Sequence, residues 1–168
     1  MLVVLGLGSN VGDSRRIVLD AVTALQQVLA GLRQASLYET EPLYVTDQNS
    51  FINTAVSGFY SGTPGELLSC IHAIEADFGR DRLRERRWGE RPLDIDILLF
   101  GQRRVVFPAS ESQPYLEIPH PHLKERRFAL QPLLELLPDA VEPETGLSYQ
   151  RICQTLPDQG VKLRKRWR

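Results

Sequence analysis

The chain has 168 residues, 42% of them hydrophobic, which suits a single domain over its whole length with a real core and a basic tail from about residue 161. Twenty Lys plus Arg against twenty-one Asp plus Glu leave a net charge of −1, which excludes a global basic field for nucleic acid or an anionic membrane. Cys70 and Cys153 lie far apart among apolar residues, which excludes a disulfide scaffold. With no signal-type or membrane-spanning apolar run, a cytoplasmic protein is expected.

Residues 2–8 (LVVLGLG) read as a buried strand, and SNVGDS supplies turn and capping residues before a helical pattern through Ile17, Ala21, Val22, Leu25, Val28 and Leu29 that Gly31 ends. QASLYET is a second strand, EPLYVTDQNS a loop and FINTAVSGFY a third strand. Thr63-Pro64-Gly65-Glu66 fits a capping box with proline at the first helical position, opening a helix through Leu67, Leu68, Ile71 and Ile74 that Gly79 closes. An arginine-rich stretch, the strand PLDIDILLF and the short strand RRVVF follow. Residues 108–119 read as irregular, and 121–137 carry a helical pattern. The order β-α-β-β-α-β predicts an α+β fold of the ferredoxin-like, split βαβ type, an antiparallel sheet with helices on one side and further strands and helices appended.

Alternation along a strand sets Leu93, Ile95, Ile97 and Leu99 on one face and Asp94, Asp96, Leu98 and Phe100 on the other. Side chains two apart stand about 7 Å from each other at their bases, so the two carboxylates can converge on one ligand. Like charges there repel unless a cation compensates them, and magnesium takes one or two carboxylates and leaves its other positions to water and phosphate. A solvated strand face, or pairing with nearby arginines, accounts for the pair equally well. The neighbouring GRDRLRERRWGER, with Arg80, Arg82, Arg84, Arg86, Arg87 and Arg91, adds weight to phosphate chemistry, because arginine forks bind phosphate oxygens and neutralise developing charge.

Common nucleotide motifs are missing. GLGSNVGDS lacks the Lys-Ser/Thr of a P-loop, and its glycines miss the dinucleotide spacing, so a tight strand-to-helix turn is its expected role. His120 and His122, with Pro121 between, suggest a rigid turn more than a metal pair. His120, protonated or donating a hydrogen bond, with Arg126 and Arg127, can add to a phosphate site. The terminal KLRKRWR reads as a frayed tail.

The pattern R-x-G-E-R-x-x-D-I-D-I-L from Arg87 to Leu98 resembles the signature of the hydroxymethyldihydropterin pyrophosphokinases of folate biosynthesis. GLGSN, LYETEPL, FINTAV, IPHP and ER-x-F agree in order along nearly the whole chain. The resemblance implies transfer of pyrophosphate from ATP to the pterin hydroxymethyl group, giving AMP and the pterin diphosphate. It implies two magnesium ions held by Asp94 and Asp96, and Arg80 and Arg91 as catalytic groups. ATP contacts would come from Glu75, Arg80, Trp88, Arg91, Ile97, His120 and Arg126. Pterin contacts would come from Thr40, Pro42, Leu43, Phe51, Asn53, Asp94 and Phe128, with the ring between Phe51 and Phe128 and Trp88 closing a loop over the site. The implied partners are ATP and a reduced pterin, with no nucleic acid and no membrane, and the protein a monomer. Two other classes compete: a two-metal phosphodiesterase or nuclease using the same aspartates, and a ferredoxin-like RNA-binding module, for which the strands lack aromatic RNP-type sequence.

Overall fold

A computed structural model describes residues 1–41, 47, 49–81, 91–110 and 114–165. The first strand, β1 (Leu2–Ser9), leads through a turn into α1 (Ser14–Leu25), where the Asp13 side chain caps the helix by accepting from the Arg16 N–H at 3.1 Å. Val18, Ala21, Val22 and Leu25 form the buried stripe of α1. The helix stops at Leu25, short of the predicted Leu29, and Gly31 falls inside a new strand, β2 (Ala30–Gln34). β3 (Leu37–Thr40) continues almost in line. Both pair with β4 (Phe51–Phe59), and the one-residue change of register between them marks a break in one long strand. The Thr54 hydroxyl lies 3.0 Å from the carbonyls of both Ala35 and Ser36 and fastens that break.

The predicted capping box opens α2 (Pro64–Asp77), with the Glu66 N–H donating to the Thr63 hydroxyl at 3.2 Å and the Thr63 N–H to the Glu66 carboxylate at 2.7 Å. β5 (Asp94–Phe100) follows, then β6 (Val105–Phe107) and β7 (Leu116–Ile118), which pair with each other. A 3-10 turn at Leu123–Glu125 precedes α3 (Arg127–Leu136), and α4 (Tyr149–Thr155) and β8 (Lys162–Lys165) complete the chain. β7 and α4 were not foreseen. The basic tail is not frayed over 162–165, because β8 pairs antiparallel with β3.

The fold is α+β, with a six-stranded antiparallel sheet in the order β5-β1-β4-β3-β8 and β2 beside β4. Helices cover both faces, not one as predicted. Val3, Leu5, Leu7, Val56, Ile95 and Ile97 pack with α1 and α2, while Val4, Ala55, Leu98 and Leu99 pack with α3 and α4. The second apolar face exists because Leu123, Leu130, Leu133, Leu136 and Tyr149 form their own buried cluster. The strict alternation predicted for β5 also fails. Leu5 pairs with Ile97 but Val4 with Leu99, so Leu98 is bulged, and beyond it Phe100 joins the α1 and α2 side while Leu99 joins the other. Cys153 is buried as expected, whereas Cys70 is half-buried. Among the described residues no helix is long and apolar enough to cross a membrane.

Candidate active site

Leu67, Ile71 and Glu75 succeed one another at four-residue spacing on the buried side of α2, so a carboxylate occupies a core position at the helix end. Glu75 is 1% exposed and accepts the Ile95 N–H at 2.8 Å, which ties α2 to the start of β5. Gly79, at φ +85°, closes the helix, with its N–H on the Ala76 carbonyl (2.9 Å) and the Arg80 N–H on the Glu75 carbonyl (3.0 Å). That close folds Arg80 back onto its own helix. Its guanidinium, 4% exposed, pairs with the Glu75 carboxylate and, at 2.5 Å, with Asp94 Oδ1. Arg91 reaches the other Asp94 oxygen at 2.5 Å.

Two residues along, Asp96 has looser company: His120 Nε2 at 3.7 Å and an Arg126 guanidinium nitrogen at 3.9 Å. The two carboxylates therefore titrate apart. Burial works to raise the Asp94 pKa, but Arg91 and Arg80 outweigh it and hold the carboxyl below its ordinary value. Burial raises Asp96, and the charge on Asp94 raises it further; the more distant Arg126 and Arg91 do not cancel these effects, and Asp96 is pushed up to about 7. Of the two alternatives for His120, protonated or donating a hydrogen bond, the first is set aside and the second remains. Burial first, then the positive Arg126 beside it, press its pKa down to about 4, so the imidazole is neutral at neutral pH. Its backbone N–H donates to the Leu98 carbonyl at 3.2 Å, fastening this segment to β5. Arg127, read with Arg126 as a phosphate group, turns away to the carbonyls of Leu156 (3.2 Å) and Pro157 (3.1 Å).

Across β1, Asp94 is the register partner of Gly8 and Asp96 of Gly6; across β4, Gly8 faces Asn53 and Gly6 faces Ala55. These residues share the face that α3 packs on. Both glycines lie in β1, within the strand read over residues 2–8. Their missing side chains let neighbours lie directly over β1: a Cβ on Gly8 would lie 2.8 Å from Asn53 Oδ1 and 3.9 Å from Phe51, and one on Gly6 would lie 3.2 Å from Leu98. Asn53, 5% exposed, donates to the buried Thr40 hydroxyl at 2.8 Å. Phe128, at the start of α3, carries the Arg126 guanidinium 5.7 Å from its ring centroid. Glu135, further along α3, accepts from the Ser36 N–H (2.6 Å) and the Tyr38 hydroxyl (2.5 Å), which fixes the helix against β3.

The structure thus joins Glu75, Arg80, Arg91, Asp94, Asp96, His120 and Arg126 by direct contacts, and sets Thr40, Asn53 and Phe51 beside Gly8. Ile97 buries its side chain against α1 and α2 at 4% exposure, so a ligand contact from it falls to the main chain. Pro42, Leu43 and Trp88 lie outside the described residues. Sequence reasoning missed the role of Gly6 and Gly8, although two glycines at alternate positions of a strand were a signal for close approach of other groups.

Residues 4–138 match the family described as 7,8-dihydro-6-hydroxymethylpterin-pyrophosphokinase, HPPK. The chain belongs to that family. It is 33% identical over 162 residues to the 2-amino-4-hydroxy-6-hydroxymethyldihydropteridine pyrophosphokinase of Pseudomonas aeruginosa, covering 95% of this chain and 94% of the relative. It is 43% identical over 153 residues to the mitochondrial folate synthesis bifunctional protein of Arabidopsis thaliana, covering 90% of this chain but 26% of that protein, so it spans about a quarter of such bifunctional relatives. A solved structure described as HPPK-DHPS in complex with substrates has a TM-score of 0.72 at 13% identity, over 92% of this chain and 43% of that one, a likeness of fold alone.

The HPPK site fits magnesium. Asp94 and Asp96 present hard oxygen donors from side chains that are 23% and 36% exposed, and among the described residues the arginine nearest Asp96 is Arg126 at 3.9 Å. Among the described residues no group of three or more His, Cys, Asp and Glu gathers as a cage, which suits an ion that takes its remaining ligands from water and phosphate.

Proposed function

We propose that this HPPK transfers pyrophosphate from ATP to 6-hydroxymethyl-7,8-dihydropterin, giving AMP and the pterin diphosphate, a step of folate biosynthesis. The carrying observation is one sheet face that holds a carboxylate pair contacted by Arg80, Arg91, Arg126 and His120, and beside it Asn53 and Phe51 lying close over Gly8. The names of the relatives support the same reading. The HPPK frame, with β3, β4, β1 and β5 adjacent and α1 and α2 on one face, supports a ferredoxin-like core to which β2, α3, α4 and β8 are added.

In this reading Asp94 and Asp96 hold two magnesium ions, which supply charge neutralisation on the polyphosphate when bound. The remaining work falls to the chain. Arg80 and Arg91 move from holding Asp94 to sharing themselves with phosphate oxygens, where they stabilise charge developing on the bridging oxygen as AMP leaves. Arg126 holds phosphate from the opposite side, and neutral His120 donates or accepts a single hydrogen bond there. Glu75 keeps Arg80 and the start of β5 in place. Phe51 and Phe128 stack the pterin, Asn53 pairs with its polar edge beside Thr40, and Pro42 and Leu43 complete that edge, while Trp88 helps exclude water. The pterin hydroxyl oxygen bonds to the β phosphorus, the bond from that phosphorus to the α,β-bridging oxygen breaks, and the hydroxyl proton is lost.

The test incubates the protein with ATP, magnesium and the reduced pterin and quantifies AMP and ADP with and without the pterin. Pterin-dependent AMP matched by pterin diphosphate is expected; ADP, or AMP formed without pterin, would overturn the assignment. A monomer in the cytoplasm, binding no nucleic acid, belongs to the same proposal, and light scattering, fractionation and an oligonucleotide shift assay test its three parts.

A further inference from the structure

Asn10 follows the last residue of β1 and is 1% exposed, so each of its polar groups needs a partner inside the protein. Two of those groups go to Arg91. The Asn10 N–H donates to the Arg91 carbonyl at 3.2 Å, and Asn10 Oδ1 accepts the Arg91 N–H at 2.8 Å. The amide side chain thereby completes a two-bond bridge of the kind a strand partner makes, and holds both main-chain polar groups of Arg91. On its other side Asn10 exchanges two longer bonds with Asn49: Asn10 Nδ2 donates to the Asn49 carbonyl at 3.4 Å, and Asn49 Nδ2 to the Asn10 carbonyl at 3.5 Å. Asn49 stands two residues before Phe51, the first residue of β4. One buried amide therefore joins the backbone that presents Arg91 to Asp94 with the backbone that enters the strand of Phe51 and Asn53.

We propose that Asn10 is a positioning residue which sets the Arg91 guanidinium for phosphate transfer and couples it to the pterin-bearing strand. This rests on the pyrophosphoryl-transfer reading above. The Arg91 side chain reaches Asp94 at 2.5 Å from that anchored backbone. A displacement of about 1 Å in such a group is enough to cost about a hundred-fold in rate.

The experiment is a double-mutant cycle with Asn10→Ala and Arg91→Ala, read as kcat and as the KM values for ATP and pterin. Asn10→Ala is expected to lower kcat by about ten- to a hundred-fold with a smaller change in either KM, and to change kcat by less than about two-fold when Arg91 is already alanine. An equal loss in both backgrounds, or an unchanged kcat in the single variant, overturns the proposal. Asn10→Asp keeps an acceptor for the Arg91 N–H and is expected to recover most of the lost kcat. Amide exchange at Arg91 gives a readout independent of turnover: slow in the wild type and in Asn10→Asp, fast in Asn10→Ala. If Asn10→Ala does not fold, fast exchange in Asn10→Asp is the overturning result. A folded wild type that makes no pterin-dependent AMP sinks the reaction assignment, and exchange then decides the anchoring of Arg91 by itself.

Discussion

On the α1 and α2 side of the sheet, the stretch of β1 and β5 nearest the site is apolar, with Leu5, Leu7, Ile95 and Ile97, whereas the other side of the same residues carries Gly6, Gly8, Asp94 and Asp96. Neighbouring residues on one strand thus serve opposite ends. The first face holds the sheet to its helices through removal of apolar area from water. The second gathers charge, which costs stability, and leaves α3 and α4 to cover the rest of that face.

Substitutions should separate the two sides. Asp94→Ala and Asp96→Ala are each expected to reduce turnover by about 10²- to 10³-fold or more, measured as pterin-dependent AMP. Their stabilities should differ. Asp94→Ala removes one of the carboxylates that pair with the 4% exposed Arg80 and is expected to lose about 1–3 kcal/mol in denaturant unfolding, while Asp96→Ala is expected to lose nothing or to gain, since burial and the charge on Asp94 already disfavour its ionised form. Equal stability losses would break the distinction between the carboxylates. Leu5→Ala, on the opposite face, is expected to cost about 2–5 kcal/mol while kcat per folded molecule stays within about two-fold. Gly8→Ala should be gentler still: its methyl displaces Asn53 Oδ1 and raises the pterin KM by about ten-fold with little change for ATP.

The smallest effect is on pH dependence. Asp96 has a folded pKa of about 7, above its ordinary value of 3.8, so the folded state holds the extra proton between those limits and this group makes stability fall as pH rises through them. His120, lowered from 6.5 to about 4, works the other way, and its contribution to stability is lost as pH falls from 6.5 toward 4. Between pH 4 and 6.5 the two oppose each other in the wild type. Asp96→Asn should leave a stability that rises with pH over that window, and His120→Gln one that falls, with melting temperature as the readout. Magnesium should raise the melting temperature more at pH 8 than at pH 5, and this difference should vanish in Asp96→Asn.

Much of the first side was legible in the sequence. The stripe of α1, the capping box at Thr63 and the alternating apolar residues before Leu98 are local patterns, and local patterns carry periodicity directly. The Asp pair with its arginines was legible for the same reason, since strand alternation aims both carboxylates one way. What escaped depended on contacts distant in sequence. The bulge at Leu98 shows only in the pairing of β5 with β1, and the strand at Lys162–Lys165, charged and short, becomes one because β3 offers it an edge. The neutral His120 likewise needed Arg126 and burial to be seen together. Pairing Asp94 with arginine, one of the readings left open by sequence, is what the structure displays, and among the described residues Asp96 has its nearest arginine, Arg126, only at 3.9 Å.

The bulge at Leu98 has an evolutionary corollary. Before it, β5 keeps a strict division between a structural and a chemical side; after it, consecutive residues are all buried and belong to both cores. The strand is in effect two heritable segments joined by one extra residue. The first can exchange its outward side chains without disturbing packing, whereas the second constrains every position. A library randomised at 94 and 96 should therefore yield mostly folded proteins, many of them inert. One randomised at 99 and 100 should yield few folded proteins at all, so this short strand tolerates change at one end and demands constancy at the other.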